Sequence, residues 1–476
     1  MTQGPIQPAY DPQAHGTGIV HLGLGAFHKA HQAACTDAAL AASGGDWRII
    51  GVSLRSRAAV DALNGQDGRF TLIERGEGGT ARIIASIARG LTGADGMGPI
   101  LAAMTAPECR IVTLTVTEKA YGLDRATGGC DPAHPAVAAD LRDPAHPTGV
   151  LGLLVRALSV RRAAGTAPFT VLCCDNLPSN GRLLRGAVVD AARRTDPALA
   201  DWIAAKVAFP SSMVDRITPA ATAETWAEAA ALTGRPDPAA VETEAFHQWV
   251  IEDDFPLGRP DWEAGGAIFV SDVTPYEDMK LRMLNGAHSM LAYAGFHAGH
   301  RFVRDVITDP ALSRLVLRHL RAAGATLGPL PGIDIDAYTD RLMRRFANPA
   351  IAHETFQIAM DGTEKMPQRI FAPALAARAA GQDLRPFAFA AAAWMRHVAG
   401  ATHDTPPYDL RDPRAAEMRA ALGAGGSVAA ALSALPGIVP PALAADPAWQ
   451  APLREMLEAM LTTPMAEVLH REAAAI

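Results

Sequence analysis

Between residues 17 and 176 the chain alternates short β-branched runs with longer Ala- and Leu-rich stretches. "GIVHLGLGAF" reads as a strand running into glycines, "HKAHQAACTDAALAAS" as a helix that stops near Gly44 and Gly45, and "WRIIGVSL" as the next strand. "ARIIASIARGL" and "CRIVTLTVTE" are further apolar, strand-like runs. "GLLVRALSVRRAAG" has helical periodicity, and "PFTVLCCDN" is a strand ending in polar residues. Such alternation predicts a parallel sheet covered by helices, because parallel neighbours need a long crossover between them. "VAFPSSMVDRITPA" and "AIFVSDVTPY" predict extended pieces leading out of that layer.

Beyond residue 275 the period changes. "YEDMKLRMLNGAHSMLAYAGF", "LSRLVLRHLRAAG", "IDAYTDRLMRRFAN" and "LRPFAFAAAAWMRHVAG" all repeat at helical spacing and carry few strand signals. The pattern predicts an α/β domain over 1–272 and a mostly α-helical domain over 273–476.

Length agrees with two cores, since 476 residues exceed what one ordinary core holds. A net charge of −7 gives no reason to expect nucleic acid or anionic lipid as a partner. The five cysteines form no C-x-x-C pair and no metal-ligand spacing, so free thiols in a reducing compartment are expected. No basic start followed by an apolar run opens the chain, and no apolar stretch reaches the length of a membrane span. A cytoplasmic protein acting on a small molecule, as a monomer or weak homo-oligomer, is the expectation.

Chemistry enters at the first strand end. In "VHLGLGAFHKAH", Gly23 permits a tight turn and Gly25 lets the backbone approach a pyrophosphate. Gly23, Leu24, Gly25, Ala26, Phe27 and His28 are the candidate phosphate-binding residues, with His28 where the usual fingerprint has its third glycine. A purely structural strand–helix turn uses the same glycines. The position, at the end of the first strand of an alternating series, favours a Rossmann-type dinucleotide-binding domain. An acid at the end of the second strand would favour NAD. Here "IIGVSLRSR" offers Ser53, Arg55, Ser56 and Arg57 and no acid before Asp61. Arg55 could meet a 2′-phosphate or simply face solvent, so these residues leave NAD and NADP both open.

"KLRMLNGAHSMLAY" places Lys280, Asn285 and His288 in one apolar segment. At about 100° per residue, Asn285 lies roughly 140° and His288 roughly 80° from Lys280 around an α-helix. All three can border one cleft. Apolar neighbours disfavour an ammonium and bring a lysine toward use as a base. A nearby imidazole can orient it, and an amide N–H can hold an alkoxide oxygen. Taken singly, each residue also fits a helix rim, with the lysine snorkelling to solvent. Asp175 and Asn176 end the "CCDN" strand, where a parallel sheet places its ligands, although asparagine there also forms turns. Lys365 in "MDGTEKMPQR", taken alone, reads as a surface lysine.

Seven blocks in order resemble the long-chain mannitol dehydrogenase family of polyol and sugar-acid dehydrogenases. They are "IVHLGLGAFHKAHQA", "LTVTEKAYGLD", "VLCCDNLPSNG", "FPSSMVDRITPAAT", "QWVIEDDFPLGRPDW", "KLRMLNGAHSMLAY" and "QIAMDGTEKMPQR". The resemblance implies zinc-independent hydride transfer between a nicotinamide, mostly NAD, and a secondary alcohol carbon. It implies that Lys280 is the general acid/base and that Asn285 and Asn176 form the oxyanion site. It implies that His288 bonds a substrate hydroxyl and orients the lysine, and that Glu277 relays the proton. Asp215 and Lys365 would lie on the substrate side. The chain departs from the family at Lys29, where arginine is usual. "VTEKAY" resembles the fructuronate reductase branch, in which Lys119 would pair with a substrate carboxylate. A neutral polyol such as mannitol is the alternative substrate. Two other classes compete: a nucleotide-binding protein without chemistry, and a zinc alcohol dehydrogenase, which the cysteine spacing disfavours.

Overall fold

A computed structural model describes residues 4–76, 79–116, 120–124, 127–349, 353–402 and 405–476. The chain divides into two units, Met1–Thr274 and Pro275–Ile476. The strands of the first are β1 (Thr17–Leu22), β2 (Arg48–Ser53), β3 (Phe70–Arg75), β4 (Ala81–Ile84), β5 (Ile87–Thr92), β6 (Ile111–Leu114), the short β7 (Leu123–Asp124) and β8 (Gly129–Cys130), β9 (Thr170–Cys173), β10 (Ser212–Asp215), β11 (Val241–Glu244), β12 (Gln248–Glu252) and β13 (Ala267–Val270).

Five of these form the central sheet, in the order β5-β2-β1-β6-β9, with every pairing parallel. Numbered among themselves along the chain they read 3-2-1-4-5, the strand order of a dinucleotide-binding sheet. Ligands bind such sheets outside the carboxyl ends of the strands where the order reverses, here between β1 and β6. Both faces are covered, so the strands carry apolar residues on both sides. Val20, Leu22, Val52, Val112 and Leu114 enter one core, and Ile19, Ile49, Ile111 and Leu172 the other. Two three-stranded sheets, β11-β3-β4 and β10-β12-β13, complete the unit.

The predicted first helix is two. Ala26–Ala30 ends at His31, whose φ −117° and ψ −85° break the ladder, and Gln32–Ser43 resumes it. The run "ARIIASIARGL" is likewise two strands in different sheets. Between them the Ala85 N–H donates to Asp37 and the Ser86 hydroxyl to the Ala33 carbonyl.

In the second unit every regular element among the described residues is a helix, apart from isolated bridges. Helix 385–398, buried along almost its whole length, packs on helix 447–462. The Phe371 ring stands edge-on between Trp394 (6.1 Å) and Trp449 (6.0 Å), which fixes the segment after residue 366 against this core. All five cysteines are buried and form no disulfide.

Candidate functional site

In the first unit the turn after β1 is built from buried imidazoles and hydroxyls. Gly23 has φ +109°, and its N–H and that of Leu24 both donate to the Val52 carbonyl (2.9 Å each). A side chain at Gly23 would put its Cβ 2.1 Å from the Thr115 carbonyl oxygen. The His21 ring bonds Thr113 Oγ1 through Nδ1 (2.7 Å) and Thr115 Oγ1 through Nε2 (2.9 Å). Thr115 donates to the Gly23 carbonyl (2.9 Å). Burial holds His21 down at about 3, so this lattice stays neutral across the physiological range. His28 stacks on His21 with ring centroids 3.4 Å apart. The residue in the third-glycine position is thus a wall of the turn. By contrast, a Cβ at Gly25 would meet only the Gly23 carbonyl, at 3.7 Å, so the backbone there has room for a close approach. The turn fits a dinucleotide phosphate: bare backbone, a positive-φ glycine and the switch-point position coincide.

Lys29 belongs to the scaffold. Its ammonium donates to the Ala239 carbonyl (2.7 Å), and burial lowers its pKa to about 8. Past β2, Arg55 is exposed, Arg57 pairs with Asp95, and Ser53 accepts from the Ser56 N–H (3.0 Å).

At the end of β9, Asp175 serves as a pin. Its Oδ2 accepts the Val116 N–H (3.0 Å) and the Tyr121 hydroxyl (2.5 Å), which ties the end of β6 to the end of β9. Asn180 donates to the Asp175 (3.0 Å) and Ser212 (2.7 Å) carbonyls, and its Oδ1 accepts the Ser212 N–H (2.9 Å). Between these anchors Asn176 is exposed. Burial, reinforced by Cys173 and Asp175, holds the Tyr121 phenol well above its usual range, so it remains a donor. Tyr121→Phe should remove a charge-assisted bond worth about 1.5–3 kcal/mol. The expected result is a lower midpoint in denaturant, because the tie between the ends of β6 and β9 is lost, and, if Asn176 acts on substrate, a kcat loss larger than any KM change. Unchanged kcat and midpoint would show that Asp175 needs no pin.

Asp215 ends β10, is buried and lies near His31. Its neighbour Arg216 binds the carbonyls of Ala30 and Glu244 and pairs with Glu74 (2.6 Å). Lys119 lies outside the described residues.

In the second unit the Lys280 segment departs from the α-helical geometry expected above. Thr274–Met279 is α-helical, Lys280–Asn285 is a π-helix, and Gly286–His297 is α-helical again. The Gly286 N–H reaches back to the Leu281 carbonyl, five residues away. In this wider winding, residues five apart fall nearly in register, so Lys280 and Asn285 share a face more closely than about 140° allowed. Lys280 is buried, 9% exposed, while Glu277, Asn285 and His288 are half-buried.

A second π-helix, Pro367–Phe371, packs against the first. The close approach is at Gly286, where a Cβ would sit 2.9 Å from the Arg369 carbonyl oxygen. Arg369 also donates to Ser289 Oγ (3.2 Å). On the outer side of the Lys280 turn, Arg282 pairs with Asp278 (2.6 Å) and donates to the Thr326 carbonyl (3.0 Å). Lys365 is half-buried, not a free surface lysine. Its ammonium donates to the carbonyls of Met360 (2.6 Å) and Ile358 (3.3 Å), and burial followed by the nearby Arg369 lowers its pKa. The His288 ring lies 4.7 Å from Phe346 and 5.6 Å from His353, centroid to centroid.

Sequence reasoning named Lys280, Asn285, Asn176 and His288 as candidates, but did not name Tyr121, Asn180, Arg216, His353 or the π-winding. Of these, Tyr121, Asn180 and Arg216 lay in quoted motifs, where an aromatic, amide or guanidinium beside a strand end was the available signal.

Both units of the chain match known proteins. The mannitol dehydrogenase Rossmann domain matches residues 17–264, and the mannitol dehydrogenase C-terminal domain matches residues 272–447. D-mannonate oxidoreductase of Escherichia coli is 43% identical over 419 residues, covering 87% of this chain and 86% of its own. Mannitol 2-dehydrogenase of Cereibacter sphaeroides is 39% identical over 418 residues, 87% of each chain. The ternary complex of Pseudomonas fluorescens mannitol 2-dehydrogenase with NAD and D-mannitol superposes with a TM-score of 0.82 at 36% identity, over 99% of this chain and 97% of that one. On its sequence in both units and on its fold, the chain belongs to the mannitol dehydrogenase family.

Proposed function

We propose that this protein is an NAD-linked, metal-independent oxidoreductase that interconverts a keto sugar acid of the D-fructuronate kind with its secondary alcohol, D-mannonate. The observation that carries the reading is Lys280, buried on a π-wound turn with Asn285 on the same face. NAD bound to the first unit would supply the hydride-transfer chemistry. Gly23 to His28, with Arg55 past the second strand, are the residues that would hold it.

Lys280 donates a proton to the substrate oxygen in reduction and takes it back in oxidation. Asn285 steadies the developing alkoxide through its amide N–H group, and the family resemblance gives Asn176 the same role. His288 bonds a substrate hydroxyl and orients Lys280, and Glu277, one helical turn earlier, passes the proton to solvent. Asp215, Lys365 and Lys119 are assigned to the substrate. The N-terminal unit thus serves the cofactor, and the C-terminal unit the acid/base chemistry. The electrophilic role falls to amides and an ammonium, which is why no metal is invoked.

Two observations favour a sugar acid: the identity with D-mannonate oxidoreductase and the lysine of "VTEKAY". The likeness to the D-mannitol complex favours the second reading, a polyol dehydrogenase. Steady-state rates with fructuronate, tagaturonate and fructose, each with NADH and NADPH, separate them, as do mannonate, mannitol and arabitol in oxidation. The expected result is kcat/KM at least about tenfold higher for fructuronate than for fructose, with NADH preferred, since a site built for a charged group rejects an analogue without it. Preference for fructose and mannitol would make this a polyol dehydrogenase and leave the role of Lys280 standing.

A further inference from the structure

We propose that His353, backed by Lys365, forms the end of the substrate pocket that takes the carboxylate, and that it sets the preference for sugar acids over neutral polyols. This deepens the reading above and rests on Lys280 being the acid/base.

The backbone at His353 is fixed. Its carbonyl accepts the Val303 N–H (3.0 Å), and the neighbouring Glu354 bridges to Phe302. Its ring stands edge-on to His288 at an interplanar angle of 78°. His288 is therefore shared between two groups of residues. One is Lys280 and Asn285 on its own helical segment, and the other is Phe346 and His353 from the segments that follow. A linear polyhydroxy chain whose carbinol carbon lies at Lys280 and whose middle hydroxyl bonds His288 has His353 as its next polar neighbour.

The charges around His353 suit an anion. Lys365 is close enough to act with burial in lowering the pKa of His353. Two of the three Lys365 N–H groups are spent on carbonyls, which hold the ammonium in place. Of the carboxylates near this cluster, Glu354 pairs with Arg301 (2.7 Å), and the half-exposed Asp361 forms an ion pair with Lys365 (3.7 Å) that leaves Arg369 as a second cation. Arg369 adds a further cation beside Lys365. Among the described residues no hydrogen bond occupies the ring nitrogens of His353. A carboxylate can accept the free N–H of the neutral His353 ring and sit beside two cations, Lys365 and Arg369, whereas a hydroxyl gains only the hydrogen bond.

The test uses the full-length enzyme and the variants His353→Asn and His353→Gln, each checked by thermal melt. The readouts are kcat and KM for fructuronate and fructose, and competitive inhibition by D-gluconate against sorbitol with whichever ketone the wild type reduces best. The expected result is a KM rise of at least about tenfold for fructuronate, with fructose within about twofold, and loss of any tighter binding of gluconate over sorbitol. Equal losses on acid and neutral ligands would mark His353 as merely structural and overturn the proposal. A wild-type preference for fructuronate that survives both variants would overturn it while leaving the proposed function intact. Wild-type preference for fructose would instead sink the proposed substrate. Gluconate binding would then still decide: tighter binding lost in His353→Asn supports the carboxylate site, and no advantage over sorbitol overturns it.

Discussion

Lys280→Ala should lower turnover at least about a thousandfold while the protein stays folded, the scale expected for losing a positioned acid/base. The side chain is buried and begins the π-helix, but the backbone of that turn is held independently of it. Arg282 anchors the turn to Asp278 and Thr326, and Tyr276 donates to the Pro331 carbonyl (2.8 Å). Gly286 fixes its far end against the second π-helix. Removal of the amine should therefore leave the thermal midpoint nearly unchanged. NADH binding, followed by fluorescence titration, should be equally unaffected. Unchanged turnover would sink the mechanism and favour a binding protein without chemistry.

Gly23→Ala should damage the candidate cofactor turn, through the backbone. At φ +109° an L side chain is strained by about 1–3 kcal/mol before any contact is counted. The new Cβ would also meet main-chain atoms of Thr115, the carbonyl oxygen at 2.1 Å and the carbonyl carbon at 2.6 Å, which cannot rotate away. Either β1 or the end of β6 must move, and the bonds from His21 and Thr115 onto the Gly23 carbonyl go with it. NADH affinity is expected to fall more than about tenfold, the equivalent of about 1.4 kcal/mol, together with a lower thermal midpoint. Wild-type NADH affinity in a folded variant would show that the dinucleotide lies elsewhere.

What could be read from sequence was local. Alternating runs announced the strands of the central sheet, and helical spacing announced 310–325, 335–346 and 385–398. The order β5-β2-β1-β6-β9 was not legible, because pairing joins runs far apart in the chain. The pins of the site are equally distant partners: Tyr121 and Asp175 are 54 residues apart, and Arg216 and Glu74 are 142 apart. No periodicity marks their pairing. The π-helix escaped for a different reason. One wide turn changes the spacing of polar residues without changing which types occur, so Lys280, Asn285 and His288 stood out as candidates but their angles were drawn on an α-helix. Pro367 was the visible hint for the second π-segment, since it supplies no N–H to an α-helical ladder.

The measurement that tests the central claim most directly is chemical rescue of Lys280→Ala by added primary amines, with fructuronate and NADH as substrates. If Lys280 moves the proton, small amines should restore turnover in proportion to their concentration. Among amines of similar size, the rate should follow the amine pKa in Brønsted fashion. A variant that binds NADH and substrate normally, yet turns over without amines at the wild-type rate, would contradict the assignment, as would rescue that is indifferent to amine pKa.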